Sequence, residues 1–299
     1  MQKILLSGGS GLLGSHLINF LKSRAIESAV LSRQKLDDET NFYQWDPSGN
    51  EIDLNAFENC SAIIHLAGAG IADKRWTPKR KEVILRSRVE STNLLFESLK
   101  GKAHKVKTIV SASAVGIYGN ANDEWKVEGS EIDKGFLQDT CVAWENSVKR
   151  FEELGIRVVI LRIGVVLAER GGALPQMAFP VKLFAGAPLG SGKQYISWIH
   201  IDDLCRIFLM ALEDNKMKGV FNAVSSNPVT NKEFYKALAN KLGRPLWPIC
   251  VPEFIMRLIL GEKAEIVLSG QRVSNDKLLK SGFSFNYSSI DGALSRFNL

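Results

Sequence analysis

Four glycines fall within seven residues, Gly8 to Gly14, directly behind the short apolar run Ile4-Leu5-Leu6. A helix cannot run through such a stretch, because each interior glycine costs about 1 kcal/mol against alanine. The core of a secretory signal is excluded on the same ground, since it needs an unbroken apolar segment of about 7–15 residues. What fits is a buried strand, a tight turn and then a helix over about 12–23. In that helix Leu13, Leu17, Phe20 and Leu21 recur at near-helical spacing.

The remainder of the first half repeats the same alternation. Apolar runs at Lys3–Leu6, Ser28–Leu31, Ala62–Ala67, Thr108–Ala112 and Arg157–Ile163 are separated by helical patterns. Strands alternating with helices build a parallel sheet covered on both faces. The chain therefore reads as α/β, a Rossmann-like doubly wound parallel sheet with a smaller C-terminal cap. The expected division is a dinucleotide-binding domain over residues 1–166 and a cap over 167–299, with 204–226 returning to the first. A helix over 77–100 has Thr77 to cap it and Pro78 at its first position. A strand is expected over 219–224, and a helix over 231–242 capped by Thr230 and closed by Gly243.

The glycine turn satisfies two overlapping patterns, GxGxxG from Gly9 and GxxGxxG from Gly8. Both serve one physical need: a tight turn whose bare backbone lets a pyrophosphate approach the free N–H groups at a helix N-terminus. Gly8, Ser10, Gly11, Leu12, Leu13 and Gly14 are the expected phosphate-binding residues. The second strand bears on which dinucleotide binds. An NAD site wants a carboxylate at its end for the ribose 2′-hydroxyl, whereas this chain has Ser32-Arg33 and no acid before Asp37. A guanidinium suits the 2′-phosphate of NADP, so NADP is the expected cofactor. On the helix after Thr77, Ile84, Arg88, Ser91 and Leu95 share one face. An arginine on an inward stripe needs an anionic partner, and the cofactor pyrophosphate would supply one.

Composition narrows the field further. The chain has 299 residues, 45% hydrophobic and 23% charged, with a net charge of +6. No run approaches the roughly 18 apolar residues that span a bilayer, so no membrane association is expected. The cysteines Cys60, Cys141, Cys205 and Cys250 form no close pair, which argues against a zinc site or a disulfide scaffold and for a reducing, cytoplasmic setting. The histidines are scattered and no metal site is expected. The basic run from Lys74 to Arg88 lacks aromatic interleaving and belongs to no nucleic-acid module. Partners are expected to be a small molecule and at most a second copy, in a monomer or homodimer.

Several motifs then line up in order: "SGGSGLLG", "AIIHLAG" at 62–68, "VSASAVGIYG" at 110–119 and "WIHIDDL" at 198–204. With them the chain resembles the extended short-chain dehydrogenases/reductases. "RWTPKRKEVILRSR" at 75–88, "CVAWE" at 141–145, "RIGVVL" at 162–167, "GSGKQYISWIHIDDL" at 190–204 and "GQRVSNDKLLKSGF" at 270–283 narrow it. They resemble the atypical, sugar-nucleotide-epimerase-like branch that includes the bacterial YfcH-type proteins and a mammalian epimerase family relative. The resemblance spans essentially the whole chain. It implies Leu66, Ala67 and Gly68 beside the adenosine half, Arg88 near the pyrophosphate and Val166 near the nicotinamide. It makes His65 structural, and has His200 and Asp202 organise the cap.

The superfamily's Tyr-x-x-x-Lys pair uses tyrosine as acid/base with its pKa lowered by lysine. Counting back from Glu145, the matching positions hold Leu137 and Cys141, and the usual partner hydroxyl is replaced by Ala114. Tyr118 and Ser113 are the nearest hydroxyls and are taken as candidate catalytic residues. The resulting expectation is an NADP-dependent oxidoreductase or epimerase-like protein acting on a small polar, sugar-nucleotide-like substrate. A non-catalytic NADP(H)-binding sensor is the alternative.

Overall fold

The apolar runs become strands because both faces of the sheet they form are buried. The computed structural model describes residues 3–34, 41–121 and 123–299. The strands are β1 (Lys3–Ser7), β2 (Ser28–Ser32), β3 (Asn41–Asp46), β4 (Glu51–Ile52), β5 (Cys60–His65), β6 (Thr108–Ala114), β7 (Arg157–Ile163) and β8 (Gly219–Ala223). They form one eight-stranded sheet in the order β8-β7-β6-β5-β1-β2-β3-β4. Every pairing is parallel except the β3–β4 hairpin at one edge.

Alternation within β1 shows how the layers assemble. Ile4 and Leu6 face one core with Leu17 and Leu21 of α1 (Leu12–Lys22) and Leu204, Ile207 and Phe208 of α5 (Ile201–Glu213). Leu5 faces the other, with Leu95 and Phe96 of α2 (Pro78–Leu99) and Trp144 and Val148 of α3 (Phe136–Lys149). This is the doubly wound arrangement, and it explains why the strands read as continuous apolar runs rather than as alternating ones.

Element ends follow local chemistry. The Thr77 hydroxyl accepts the Arg80 N–H at the start of α2. β5 stops at His65, two residues short of the expected end, because its neighbour β1 stops at Ser7, where Gly8 turns away with φ +77°. The expected last residues of that strand, Leu66 and Ala67, are thus freed into the loop at the C-terminal edge of the sheet. At β1 the crossovers change direction, α1 passing to one face and α2 to the other, the topological position at which open α/β sheets bind their ligands.

A second, smaller core is built within residues 167–299 around Leu167, Leu174, Trp198, Phe234, Leu238, Leu294 and Phe297. It contains α4 (Ala173–Lys182) and α6 (Asn231–Leu242), the latter opened by a Thr230–Glu233 capping box and closed by Gly243 at φ 61°. A further helix, α7 (Glu253–Leu260), buries none of its residues. The stretch containing α5 and β8 returns to the main sheet. His200 caps α5, its Nδ1 accepting the Asp202 N–H at 3.1 Å, with its ring stacked between Tyr287 and Phe297. Asp202, in the first turn of α5, in turn meets His16 of α1 at 3.0 Å, tying these two neighbouring helices together. Among the described residues no helix is long and apolar enough to cross a membrane.

Candidate functional site

The glycines of the first turn divide into those the fold needs and one it does not. A Cβ on Gly14 would lie 2.2 Å from the carbonyl oxygen of Gly8. A Cβ on Gly8 would lie 2.8 Å from the carbonyl carbon of Leu66, at a left-handed φ of +77°. At Gly11 the backbone is ordinary, with φ −76°, and the nearest atom to an added Cβ is 3.3 Å away. Gly11 caps α1 with no side-chain bond and no acidic residue in the first turn. The first intrahelical bond, from Ser15 N–H to Gly11 O at 2.9 Å, leaves the N–H groups of Leu12, Leu13 and Gly14 without helical acceptors. Ser10 and Gly11 are exposed beside them.

At the end of β2, Ser32 is buried and its hydroxyl accepts the Gln34 N–H at 3.3 Å. Arg33 is exposed. Asp46 at the end of β3 is held below the usual carboxylate range, first by hydrogen bonds from Ser48 and in smaller part by the Arg33 charge. Asp37, the first acid after β2, lies outside the described residues.

At the end of β5, His65 is fully buried between Ser7 Oγ at 2.6 Å and Thr92 Oγ1 at 2.9 Å. Burial, with a contribution from the Arg88 charge, pushes its imidazole down to about 3. It is therefore a neutral strut. The Leu66 N–H donates to Ser7 O at 3.1 Å, Ala67 is buried, and Gly68 is exposed. Arg88 lies directly on Gly68, where an added Cβ would be 3.0 Å from Cζ. Its Nη1 donates to Ala69 O at 3.1 Å and Ile84 O at 2.9 Å, and its guanidinium lies over the Trp144 ring at 5.1 Å. Burial lowers its pKa, and no carboxylate counters that. Val166 stands in the short strand Val165–Leu167, paired with Ile199 and half-buried.

Leu137 and Cys141 occupy the first turns of α3. The Cys141 thiol faces Ala114 O at 4.0 Å, and burial pushes it up to about 11, so it stays protonated. Ser113 and Tyr118 are held in a buried network. Ser113 Oγ donates to Glu145 Oε1 at 2.7 Å. Arg162 grips the same carboxylate with Nε at 2.9 Å and Nη2 at 3.0 Å. Its Nη1 donates to the Tyr118 hydroxyl at 2.9 Å, and that hydroxyl donates to Asn222 Oδ1 at 2.7 Å. The Asn222 N–H reaches Glu128 Oε1 at 2.9 Å, binding the loop after β6 into the same array. Burial raises the Tyr118 phenol above its ordinary range.

Of this network, Glu128, Arg162 and Asn222 went unnoticed in the sequence. The signal was there for Arg162: a cation inside the apolar run "VVILRIGVV" cannot be buried without an ion-pair partner. Asn222 carried no comparable signal, because only its pairing beside Arg162 in β8 brings it to Tyr118.

Residues 4–223 match the model of the NAD dependent epimerase/dehydratase family. The chain belongs to that family. Residues 251–297 match a second model, described as a domain of unknown function, DUF1731. The chain is 38% identical over 296 residues to an epimerase family protein of Staphylococcus haemolyticus, covering 97% of each. It is 37% identical to the epimerase family protein YfhF of Bacillus subtilis, covering 99% of this chain and 97% of that one. Among solved structures, human epimerase family protein SDR39U1 with NADPH superposes with a TM-score of 0.90 at 31% identity, covering 99% of this chain and 100% of that one. The residues present here fit a nicotinamide dinucleotide. Gly11 caps α1 without a side chain, just ahead of its free N–H groups, and Arg88 offers a cation with no carboxylate partner among the described residues.

Proposed function

We propose that the chain binds NADP(H) and acts as an oxidoreductase or epimerase-like enzyme on a small polar, sugar-nucleotide-like substrate. The observation that carries the choice of cofactor is the end of β2. Arg33 is exposed there beside the buried Ser32. Gly8 and Gly14 shape the turn, while Ser10, Gly11, Leu12 and Leu13 present backbone to the pyrophosphate. Ser32 and Arg33 hold the 2′-phosphate, where charge-assisted bonds contribute about 1.5–3 kcal/mol. Leu66, Ala67 and Gly68 line the adenosine side, and Val166 borders the nicotinamide. When bound, the cofactor supplies a hydride donor or acceptor.

The protein's own proton chemistry is less conventional. The Tyr118 and Ser113 protons are already donated to Asn222 and Glu145, so in this reading both residues frame the site. That favours a second reading, a protein that binds NADP(H) without turning it over.

One experiment separates the two. NADPH and NADH are titrated against wild type and Arg33→Ala, and the loaded protein is then offered sugar nucleotides and cell extract while reduced-nicotinamide absorbance is followed. NADPH binding at least tenfold tighter than NADH, with the gap erased in the variant, supports the cofactor assignment; equal affinities refute it. A loaded protein whose nicotinamide never changes redox state with any of these mixtures defeats the enzyme reading and leaves the sensor.

A further inference from the structure

Helix α4 closes with the two hydrogen bonds of a Schellman turn, Phe184 N–H to Val181 O at 3.1 Å and Ala185 N–H to Pro180 O at 2.9 Å. The residue at its left-handed position is Phe184, with φ 60°. Glycine is the usual occupant, because any Cβ there is crowded by the backbone. Among the described residues the other non-glycine positions with positive φ are Ala25, Asn50 and Asn59, all small. Phe184 is 55% exposed, so burial of its ring does little to offset the strain. Folding alone gives no reason for an aromatic at this position.

The ring belongs to a wider apolar surface. Phe179 and Leu183, four residues apart at the end of α4, are exposed as well. Residues 244–251 run alongside 184–190. The Trp247 N–H donates to Gly186 O at 2.9 Å, its indole N–H to Phe184 O at 2.8 Å, and the Val251 N–H to Pro188 O at 2.8 Å. This pairing brings the exposed Trp247 and Ile249, the latter 73% exposed, to the same edge. Exposed apolar side chains gathered in this way mark an interaction surface.

The charge around it has one sign. Residues 171–200 and 241–252 contain no aspartate or glutamate, yet they carry Lys182, Lys193, Lys241 and Arg244. Lys182, Lys193 and Arg244 are exposed, and the Arg244 guanidinium lies over the Phe184 ring at 4.5 Å. The next acid along the chain, Glu253 of α7, is engaged by Arg257 at 2.8 Å. A second copy meeting this surface face to face would set Lys182 and Arg244 against their own counterparts. A nucleic acid would neutralise the cations but leave Leu183 and Ile249 without an apolar partner. An anionic lipid leaflet supplies both.

We propose that this face is a peripheral membrane-binding surface. Phe179, Leu183, Phe184, Trp247 and Ile249 enter the boundary between headgroups and acyl chains, while Lys182 and Arg244 meet the lipid phosphates. Binding of this kind needs one apolar face with a basic rim rather than a spanning segment. It therefore stands apart from the lack of an apolar run long enough to cross a bilayer. It also goes beyond the cofactor reading and does not depend on it.

The test is co-sedimentation of the full chain with vesicles of phosphatidylcholine, alone or with about 30% phosphatidylglycerol. Wild type should bind the anionic vesicles roughly tenfold more tightly than the neutral ones, and about 0.5 M salt should release it. Phe184→Gly relieves the left-handed strain and deletes the ring. It should melt no lower than wild type yet bind anionic vesicles roughly tenfold less tightly. Should it fail to fold, Leu183→Ser, at a side chain 61% exposed, reads the same loss. Lys182→Glu combined with Arg244→Glu should abolish the preference for anionic lipid. Wild type that stays in solution with both vesicles overturns the proposal, as does equal binding to both or a folded Phe184→Gly that binds like wild type. A concentration-dependent dimer that Phe184→Gly disperses, with no pelleting, gives the face to a second copy and overturns it too. No cofactor enters the assay, so failure here leaves the NADP(H) reading standing.

Discussion

Alanine scanning of the first turn separates folding from binding at single-atom resolution. In Gly14→Ala the new methyl would overlap a backbone oxygen at 2.2 Å, and neither the helix start nor the turn can give way cheaply. Overpacking of this kind costs about 1–3 kcal/mol and sometimes more. Gly8→Ala adds a left-handed backbone, worth about 1–2 kcal/mol, to a contact of 2.8 Å with the Leu66 carbonyl carbon. In Gly11→Ala the backbone cost does not arise, since φ is −76°, and the nearest atom, the Gly8 carbonyl oxygen at 3.3 Å, has only a few tenths of an ångström to give. Its methyl instead adds bulk at the exposed N-cap position, one residue before the N–H groups of Leu12, Leu13 and Gly14. Thermal melting of the three variants should therefore show Gly8→Ala and Gly14→Ala down by several degrees, at roughly 2–4 °C per kcal/mol for a chain of this size. Gly11→Ala should melt within about 2 °C of wild type. Fluorescence titration should show the reverse emphasis, with Gly11→Ala folded yet at least tenfold weaker for NADPH. A Gly11→Ala protein that binds NADPH like wild type would refute the division, as would a Gly14→Ala protein of wild-type stability.

Other consequences follow from the buried polar groups. His65 is neutral in the fold, its pKa near 3 against an ordinary 6.5, so the unfolded chain takes up the proton first as pH falls. Its contribution is complete above 6.5 and is lost toward 3 at about 1.4 kcal/mol per pH unit. Urea unfolding at pH 6.5 and pH 5 should show wild type losing about 2 kcal/mol more than His65→Gln, and equal losses would contradict the burial argument. Glu145→Gln leaves the buried Arg162 without its counter-charge and should cost about 3–5 kcal/mol in denaturant unfolding. Adding Arg162→Met to that variant should recover part of the loss. Thr230→Ala removes the capping box of α6 and should cost about 1 kcal/mol; a neutral variant would show that the box is ornamental.

The local elements were readable because they rest on local rules. Thr77 and Pro78 mark the start of α2, Thr230 and Gly243 bracket α6, and β7 runs over Arg157–Ile163 as its apolar run implies. The end of β5 was misplaced by two residues because it depends on where its neighbour β1 stops. The glycine turn was legible for the same reason as the helices, since backbone conformation and its hydrogen-bond needs are encoded within a few residues.

The polar interior was not legible in this way. Ser113, Tyr118, Glu145, Arg162 and Asn222 are spread along the chain and meet only because β6, β7 and β8 lie side by side in register. The sequence alone could count the hydroxyls near the expected catalytic position, but it could not show that their protons were already given away. By itself it determined the α/β class, the glycine turn between β1 and α1 and the absence of the tyrosine–lysine pair, all properties of residue type and short spacing. Only the tertiary structure decided which glycines the fold requires, which hydroxyls are spent, and that the Trp144 indole N–H has no acceptor among the described residues. Hydrogen-bond satisfaction is a property of neighbours in space, and those are set by sheet order and helix packing rather than by position along the chain.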